Sequence, residues 1–137
     1  MKLLTDEQIS LLVEGNIQEQ RYLLWFAACQ TYELIKEFSQ EVLVEKFLSV
    51  DYELSELAYD AFFNRKADWN EELETITEST KIKLKTVIFR MMREAGLISG
   101  DNRIIPAILS GRLIHALKPN SPMSYQIYPL RATDIKG

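Results

Sequence analysis

The stretch ITESTKIKLKTVIFRMMREAGLISGDNRII, from Ile76 to Ile105, decides how this chain folds. Thr77 or Ser79 predicts the start of a helix, because a short hydroxyl side chain accepts a hydrogen bond from a free N–H of the first turn. Gly96 predicts its end, because glycine is common just past the last helical residue. At about 100° per residue, one side of the intervening helix carries only apolar side chains, namely Leu84, Ile88, Met91, Met92 and Ala95. The stretch therefore predicts an amphipathic helix over residues 79–95 with one buried face.

The opposite side of this helix is polar and basic. It holds three cations and no acid in an otherwise acidic chain, and its members are Ser79, Lys83, Thr86, Arg90 and Arg93. Beyond Gly96, apolar pairs flank the turn sequence SGDN at residues 99–102, which is a hairpin signal. A helix followed by a short hairpin is typical of a winged helix-turn-helix.

Two helices are predicted at the start of the chain. Thr5 or Asp6 caps a short helix over residues 5–14, and a longer core helix runs over residues 17–38. The apolar positions of the longer helix recur every three to five residues around Trp25 and Phe26, and they are Leu24, Cys29, Tyr32, Ile35 and Phe38. The neighbours of Trp25 and Phe26 are Leu and Ala rather than basic residues, which favours packing over a base-stacking platform.

The middle of the chain predicts two more helices and a loop. Ser39 is the cap candidate of a short helix whose buried set is Val42, Leu43, Phe47 and Leu48. The next helix runs over residues 52–66, with an inner face of Leu54, Leu57, Ala58, Ala61 and Phe62. Residues 68–78 form a loop with a helical turn, and we expect Trp69 to anchor that loop to the core.

The chain after the hairpin predicts one more helix and a tail. The helix covers residues 107–117, with Ser110 as an alternative cap. Three prolines after Lys118 predict an extended tail that Tyr125, Ile127 and Tyr128 attach to the body. The predicted fold class is mainly α, a helical bundle with a winged helix-turn-helix-like C-terminal half and at most a short β-hairpin. We expect one helical domain over residues 1–137, made of a helical layer at 5–50, a helix-turn-helix-like part at 52–117 and the tail at 118–137.

Composition narrows the functional classes. The chain has 137 residues, 47% of them hydrophobic and 26% charged, which is ordinary for a globular protein. The longest apolar run covers residues 23–29, far short of the roughly 20 residues that span a bilayer. Because the N-terminus also carries acids where a signal peptide needs an apolar region, the sequence predicts a cytoplasmic protein without membrane contact.

Catalytic and metal-binding chemistry has no candidate residues. There is no glycine-rich phosphate loop, nucleophile elbow or histidine–acid constellation, so the sequence predicts neither an enzyme nor a cofactor. The single cysteine, Cys29, and the single histidine, His115, lack companions at ligand spacing, so no metal site is predicted. Acids at residues 71–78 fit a solvated loop better than a site.

The charge of the chain is unevenly distributed. Residues 1–78 carry six Lys or Arg against seventeen Asp or Glu, a net charge of −11, whereas residues 79–137 carry ten against three, a net charge of +7. This asymmetry indicates a protein whose C-terminal half faces a polyanion.

The predicted polyanion is double-stranded DNA, bound through the basic helix at residues 79–95. The N-terminal half of a recognition helix enters the major groove, where hydroxyls and cations reach phosphates and base edges. The predicted contact residues are Ser79, Thr80, Lys81, Lys83, Lys85, Thr86, Arg90 and Arg93 on the helix and Arg103 on the wing. Two alternatives stay open, a protein-interaction adaptor whose basic face meets an acidic partner and an RNA-binding regulator. We expect a monomer or weak dimer.

Three segments resemble the BrxA family of bacteriophage exclusion (BREX) systems. They are LLWFAACQTYELIKEFSQEVL at residues 23–43, YDAFFNRKADWNEELETITESTKIKLKTVIFRMMREAGLI at 59–98, and NRIIPAILSGRL at 102–113. The resemblance covers most of the chain. It implies an all-helical fold with helix-turn-helix character, double-stranded DNA binding, and a role beside other BREX proteins that mark host DNA and block phage replication. Family members usually carry a further N-terminal helical region, so we expect this chain to be a short relative or a fragment.

Overall fold

A computed structural model describes residues 4–131, and its regular secondary structure consists of helices. In chain order these are α1 (Asp6–Glu14), α2 (Ile17–Thr31), α3 (Glu33–Phe38), a π-helical stretch (Ser39–Val44), α4 (Glu45–Leu48), α5 (Glu56–Ala67), α6 (Glu71–Glu74), α7 (Glu78–Glu94), α8 (Gly111–Leu117), a 3₁₀ turn (Lys118–Asn120) and α9 (Met123–Gln126). The expected mainly α class is confirmed. Within residues 4–131, no helix combines the length and apolar character that a membrane crossing requires.

Helix starts follow local capping chemistry. The Thr5 side chain accepts from the Gln8 amide while the Gln8 side chain accepts from the Thr5 amide, a reciprocal capping box. Ser110 caps α8 through the Leu113 amide, so the alternative start of the last predicted helix is the correct one. At α7, Thr77 rather than Ser79 is the cap.

The predicted helix over residues 17–38 is interrupted at Tyr32. The backbone of Tyr32 is extended, with φ −119° and ψ 110°, and its side chain is exposed together with that of Leu24, so the expected burial of both is wrong. The bend lets Ile35 and Phe38 reach the core. Cys29, Trp25 and Phe26 are buried as predicted.

The predicted helix break at Ser39 does not exist. Helical backbone continues from α3 through the π-helical stretch into α4, and the Ser39 hydroxyl donates to the Ile127 carbonyl at 2.7 Å instead of capping. This buried bond holds the C-terminal segment against the helix. Val42, Leu43 and Phe47 are buried as predicted, but Leu48 is exposed.

Residues 52–54 are extended rather than helical. The Leu54 amide donates to the Asn102 carbonyl at 2.9 Å, and the Ile104 amide donates to the Tyr52 carbonyl at 2.7 Å. Helix α5 therefore begins only at Glu56, after the Ser55 cap. Leu57 and Ala61 are exposed, against expectation, whereas Leu54 and Phe62 are buried as predicted and Tyr59 and Phe63 are buried with them.

The segment after Gly96 forms the expected hairpin in minimal form. Ile98 and Ile104 make an antiparallel bridge, and backbone bonds join Ser99 to Arg103 and Ile105 to Leu97 at 2.8 Å each. Gly96 has φ 78°, the left-handed conformation that ends the helix. Among residues 4–131 these pairings stay isolated bridges and do not extend into a strand.

The expected extended tail is wrong over residues 118–126, where the 3₁₀ turn and α9 lie. The expectation that Ile127 and Tyr128 attach this part of the chain to the body is confirmed, because both side chains are fully buried. The Tyr128 hydroxyl donates to the Tyr22 carbonyl at 2.6 Å, and the Trp25 indole donates to the Ile127 carbonyl at 3.1 Å. Burial of these side chains outweighs the extended preference of the prolines. The rest of the predicted tail, residues 132–137, lies outside the described residues.

A continuous hydrophobic cluster connects these elements. It contains residues of the first two helices, α5, α7, α8 and the segment that follows α9, so both halves of the charge-divided sequence share one core. The Trp69 side chain takes no part in it. That indole is 90% exposed, so the expectation that it anchors the loop after α5 is wrong.

Candidate nucleic-acid interface

Helix α7 lies at the surface with the predicted face inward. Ile88, Met92 and Ala95 are buried, and Leu84 and Met91 pack partly buried against the same core. Phe89 is buried as well, on the side that faces Phe38 at a ring-centroid distance of 6.2 Å. The amphipathic prediction for this helix is therefore confirmed.

Five of the predicted contact residues lie on the exposed side of α7. They are Ser79, Thr80, Lys83, Thr86 and Arg90. The side chains of Lys83 and Arg90 form no ion pair with any residue between 4 and 131. The hydroxyl of Thr86 donates to the Ile82 carbonyl at 3.1 Å, which leaves its oxygen open to a donor. This side of the helix, here called the basic face, presents two free cations and several hydroxyls to solvent.

Two other predicted contact residues turn toward α5 instead. The Lys85 ammonium lies 3.4 Å from Asp60 and 3.6 Å from Glu56. The Lys81 ammonium contacts the Asn64 side chain at 3.1 Å and lies 5.4 Å from the centroid of the Phe63 ring. The structure does not bring these two lysines onto the basic face, and their contacts hold α7 against α5.

The last two predicted residues lie at the hairpin. An Arg93 guanidinium nitrogen donates to the Asn102 side chain at 2.8 Å, which fixes the C-terminal turn of α7 to the hairpin. Arg103 is exposed and lies 3.6 Å from Glu53, a pair with little energetic weight because both side chains are in water. Both guanidinium groups remain accessible to a ligand.

Apolar residues also belong to the exposed surface of α7, and the sequence reasoning missed them. Ile82 and Val87 are exposed beside the basic face. Their positions off the apolar stripe are the signal that could have identified them. A third missed residue is Arg21 on α2, which lines a groove with Arg93. No local signal marks Arg21, because it lies in the acidic half of the sequence.

The titratable groups outside α7 lie in surroundings that suit a structural role. Burial raises the pKa of the Cys29 thiol, and burial with the nearby Asp60 raises the pKa of Tyr59 to about 12, so both groups stay neutral. No group of three or more His, Cys, Asp or Glu in residues 4–131 is arranged to hold a metal ion. His115 lies 2.6 Å from Glu7 on the surface.

One carboxylate is buried and connects two helix starts. Glu19 accepts from the Asn16 amide at 2.9 Å, from the Ser110 hydroxyl and from Arg112 at 2.6 Å. Burial alone raises its pKa, but the bonds from Ser110, the Asn16 backbone and Arg112 together hold the pKa of Glu19 below its ordinary value. This site lies on α2 and α8 and has a structural role.

Comparison with known proteins finds a matching protein family. A family model described as BrxA matches residues 1–121. A BREX protein BrxA from Bacillus cereus (strain H3081.97) is 30% identical over 101 residues, which are 74% of this chain and 50% of that protein. The chain thus spans about half the length of this curated relative. A crystal structure of an uncharacterized protein from Magnetospirillum magneticum superposes with a TM-score of 0.80 at 20% identity, covering 90% of this chain and 67% of that one, and it shows a shared fold.

Proposed function

The chain belongs to the BrxA family, and on that premise we propose that it is a non-enzymatic, double-stranded DNA-binding component of a BREX-type phage-defence system. Other BREX proteins are its proposed partners, and the cytoplasm, where the DNA is, is its proposed location. The name of the Bacillus cereus relative supports the defence setting. The DNA-binding part of the proposal rests on the basic face of α7.

The observation that carries DNA binding is the pair of free cations on that face. Lys83 and Arg90 are seven residues apart, about two helical turns or 10 Å along the axis. Both are exposed, and neither is neutralised by an acid among residues 4–131, whereas the neighbouring Lys85 is. Cations spaced along one exposed helix face suit the phosphates on either side of a major groove.

We also assign this half of the chain to the winged helix-turn-helix class. The order of elements supports the assignment: an extended segment at 52–54, then α5, the one-turn helix α6, α7 and the hairpin at 97–105. Hydrogen bonds join residues 52–54 to the far arm of the hairpin, so the extended segment lies beside the hairpin that follows α7. In such an arrangement α7 is the recognition helix and Arg103 on the hairpin reaches a neighbouring phosphate.

Competitive binding tests the proposal. A labelled duplex of about 20 base pairs is mixed with the protein, and single-stranded DNA or RNA of the same sequence competes at two salt concentrations. We expect duplex DNA to compete best and affinity to fall steeply with salt, because each neutralised phosphate releases counterions. Preferential competition by RNA would instead favour the RNA-binding alternative.

A charge-reversal variant tests the assigned face. Lys83→Glu with Arg90→Glu should abolish duplex binding and leave the circular dichroism spectrum unchanged, because both side chains are exposed and neither pairs with an acid among residues 4–131. The single variants Lys83→Glu and Arg90→Glu are each compared with Lys118→Glu, which makes the same charge change at another exposed lysine without an ion pair among residues 4–131. Undiminished affinity of the double variant would exclude α7 as the recognition helix.

A second candidate function is that of an adaptor, and the exposed Trp69 favours it. The indole borders a groove of about 420 Å³. Its lining carries three acids, Glu33, Glu37 and Glu72, and one cation, Lys66, which pairs with Glu37 at 3.0 Å. Large aromatic side chains are enriched in protein interfaces, and isolated exposure at 90% is uncommon for tryptophan. On this reading the acidic half of the chain docks onto another BREX protein.

The adaptor function is tested by co-expression with each BREX protein of the same system. Loss of a complex in Trp69→Ala, with its retention in the Lys83→Glu, Arg90→Glu variant, would favour the adaptor. Complex formation unaffected by Trp69→Ala would count against it.

A further inference from the structure

A groove crosses from α2 to the C-terminal turn of α7, next to the basic face. Its volume is about 590 Å³, and it is lined by Arg21, Leu24, Trp25, Met91, Arg93, Glu94 and Ala95. The floor is apolar, and two guanidinium groups and one carboxylate stand at its walls. Arg21 is exposed and forms no ion pair with the residues that the structure describes.

A side-chain hydrogen bond joins the two helices that form the walls of this groove. The Gln18 side chain donates to the Ala95 carbonyl at 3.0 Å, at the point where α7 ends. Gly96 lies against the same amide, so that an added Cβ would sit 3.3 Å from it. Arg21 is one turn further along α2 from Gln18, and Met91 is one turn back along α7 from Ala95. Arg21 therefore stands beside the last third of α7.

The position of the groove relative to Arg90 follows from helical geometry. Met91 lies about 100° around α7 from Arg90 on one side, and Arg93 lies about 60° on the other. Met91, Glu94 and Ala95, three of the four α7 residues that line the groove, lie on the first side. The fourth, Arg93, lies on the second side, where it also donates to Asn102 of the hairpin. A duplex seated on α7 has a phosphate backbone along each flank.

We infer that the Arg21 groove is a phosphate subsite, in which a backbone phosphate of bound nucleic acid contacts Arg21 while Arg103 serves the opposite flank. The inference rests on the proposed function and extends its footprint to α2, in the acidic half of the sequence. A guanidinium group is suited to this task because it offers a fork of donors to phosphate oxygens. Arg21 is exposed, so the contact is made in water, and Glu94 in the same groove opposes the anion.

The test measures the affinity of the full chain for a labelled duplex at 50 and 200 mM salt. We expect Arg21→Ala to weaken binding uniformly across sequences and to lower the salt slope by about 0.9, the value of one phosphate contact. Between the two salt concentrations, its deficit relative to wild type then shrinks about 3.5-fold, as a slope difference of that size requires. Arg21→Lys should keep the salt slope but recover only part of the affinity, because lysine keeps the charge and lacks the fork of donors, and Glu94→Gln should increase the affinity.

Lys118→Ala is the control, because Lys118 is exposed, unpaired within residues 4–131 and outside the groove. An Arg21→Ala variant that matches this control in affinity and salt slope, while wild type binds DNA, would overturn the subsite alone. Wild-type protein that binds no duplex would overturn the proposed function and the subsite with it. Equal weakening by both alanine variants would show a general charge effect and would also overturn the subsite.

Discussion

Replacing Glu19 by glutamine should destabilise the chain far more than removing its charged partner Arg112. The Glu19 side chain is 3% exposed, whereas that of Arg112 is 64% exposed. The carboxylate accepts three bonds, from the Asn16 amide at the start of α2, from the Ser110 hydroxyl that caps α8, and from Arg112. It thereby joins two helix starts that are about 90 residues apart in the sequence.

The magnitude follows from the number and environment of these bonds. A hydrogen bond to a charged group contributes about 1.5–3 kcal/mol, and its neutral counterpart about 1 kcal/mol. Glutamine keeps an acceptor for the Asn16 amide but loses the charge that strengthens the other two bonds, so we expect a loss of about 2 kcal/mol. Arg112→Ala removes a pair whose cation is in water and should lose less than about 1 kcal/mol. At about 3 °C per kcal/mol for a chain of this size, Glu19→Gln lowers Tm by about 6 °C.

Denaturant unfolding followed by circular dichroism measures both variants at pH 7. The expected order is wild type, then Arg112→Ala, then Glu19→Gln. The reasoning is refuted if Arg112→Ala loses as much as Glu19→Gln, because that result would place the energy in the exposed ion pair. A loss below about 0.5 kcal/mol for Glu19→Gln would refute it too, since the cost of desolvating the carboxylate would then cancel the energy gained from its hydrogen bonds.

Two further predictions concern acid and backbone strain. The pKa of Glu19 is lower in the folded chain than its ordinary value of 4.5. The stabilisation by its carboxylate is therefore complete above pH 4.5 and is lost as the pH falls through the folded pKa. In acid titrations the difference in unfolding free energy between wild type and Glu19→Gln should shrink below pH 4.5, and a constant difference would contradict the assignment. Gly96→Ala places a Cβ on a residue with φ 78° and should lower the free energy of unfolding by about 1–2 kcal/mol, measured with denaturant. In the control Gly100→Ala the added Cβ meets nothing within 4 Å, so the free energy should not change. Equal losses in the two variants would contradict left-handed strain at Gly96.

The elements that sequence reasoning located best are those with local causes. The helix over residues 79–95, the hairpin turn at 99–102 and the Ser110 cap each depend on residues within one or two turns of the backbone. Hydroxyl caps and left-handed glycine act on their immediate neighbours, so their signals are visible in the sequence. The face of α7 that is buried follows from the same local periodicity.

The elements that it placed wrongly depend on distant partners. Tyr32 fits a helix by pattern, yet the chain bends there, Ile35 is buried, and the Phe38 ring packs against rings from α5 and α7. The segment after Lys118 has the prolines of a tail, but its Ile127 carbonyl receives bonds from side chains 88 and 102 residues earlier. No local pattern encodes such bonds.

By itself, the sequence determined the mainly helical class, the start and end of α7, its buried stripe and the excess of cations after Ser79, because capping, periodicity and charge are properties of neighbouring residues. Only the tertiary structure decided which of those cations are free. Lys85 and Lys83 are two positions apart and chemically identical, but Lys85 faces Asp60 on α5 while Lys83 faces water. Tertiary packing likewise brought Arg21, from the acidic half, beside the end of α7. An interface depends on which side chains share a surface, and that is settled when helices distant in sequence pack together.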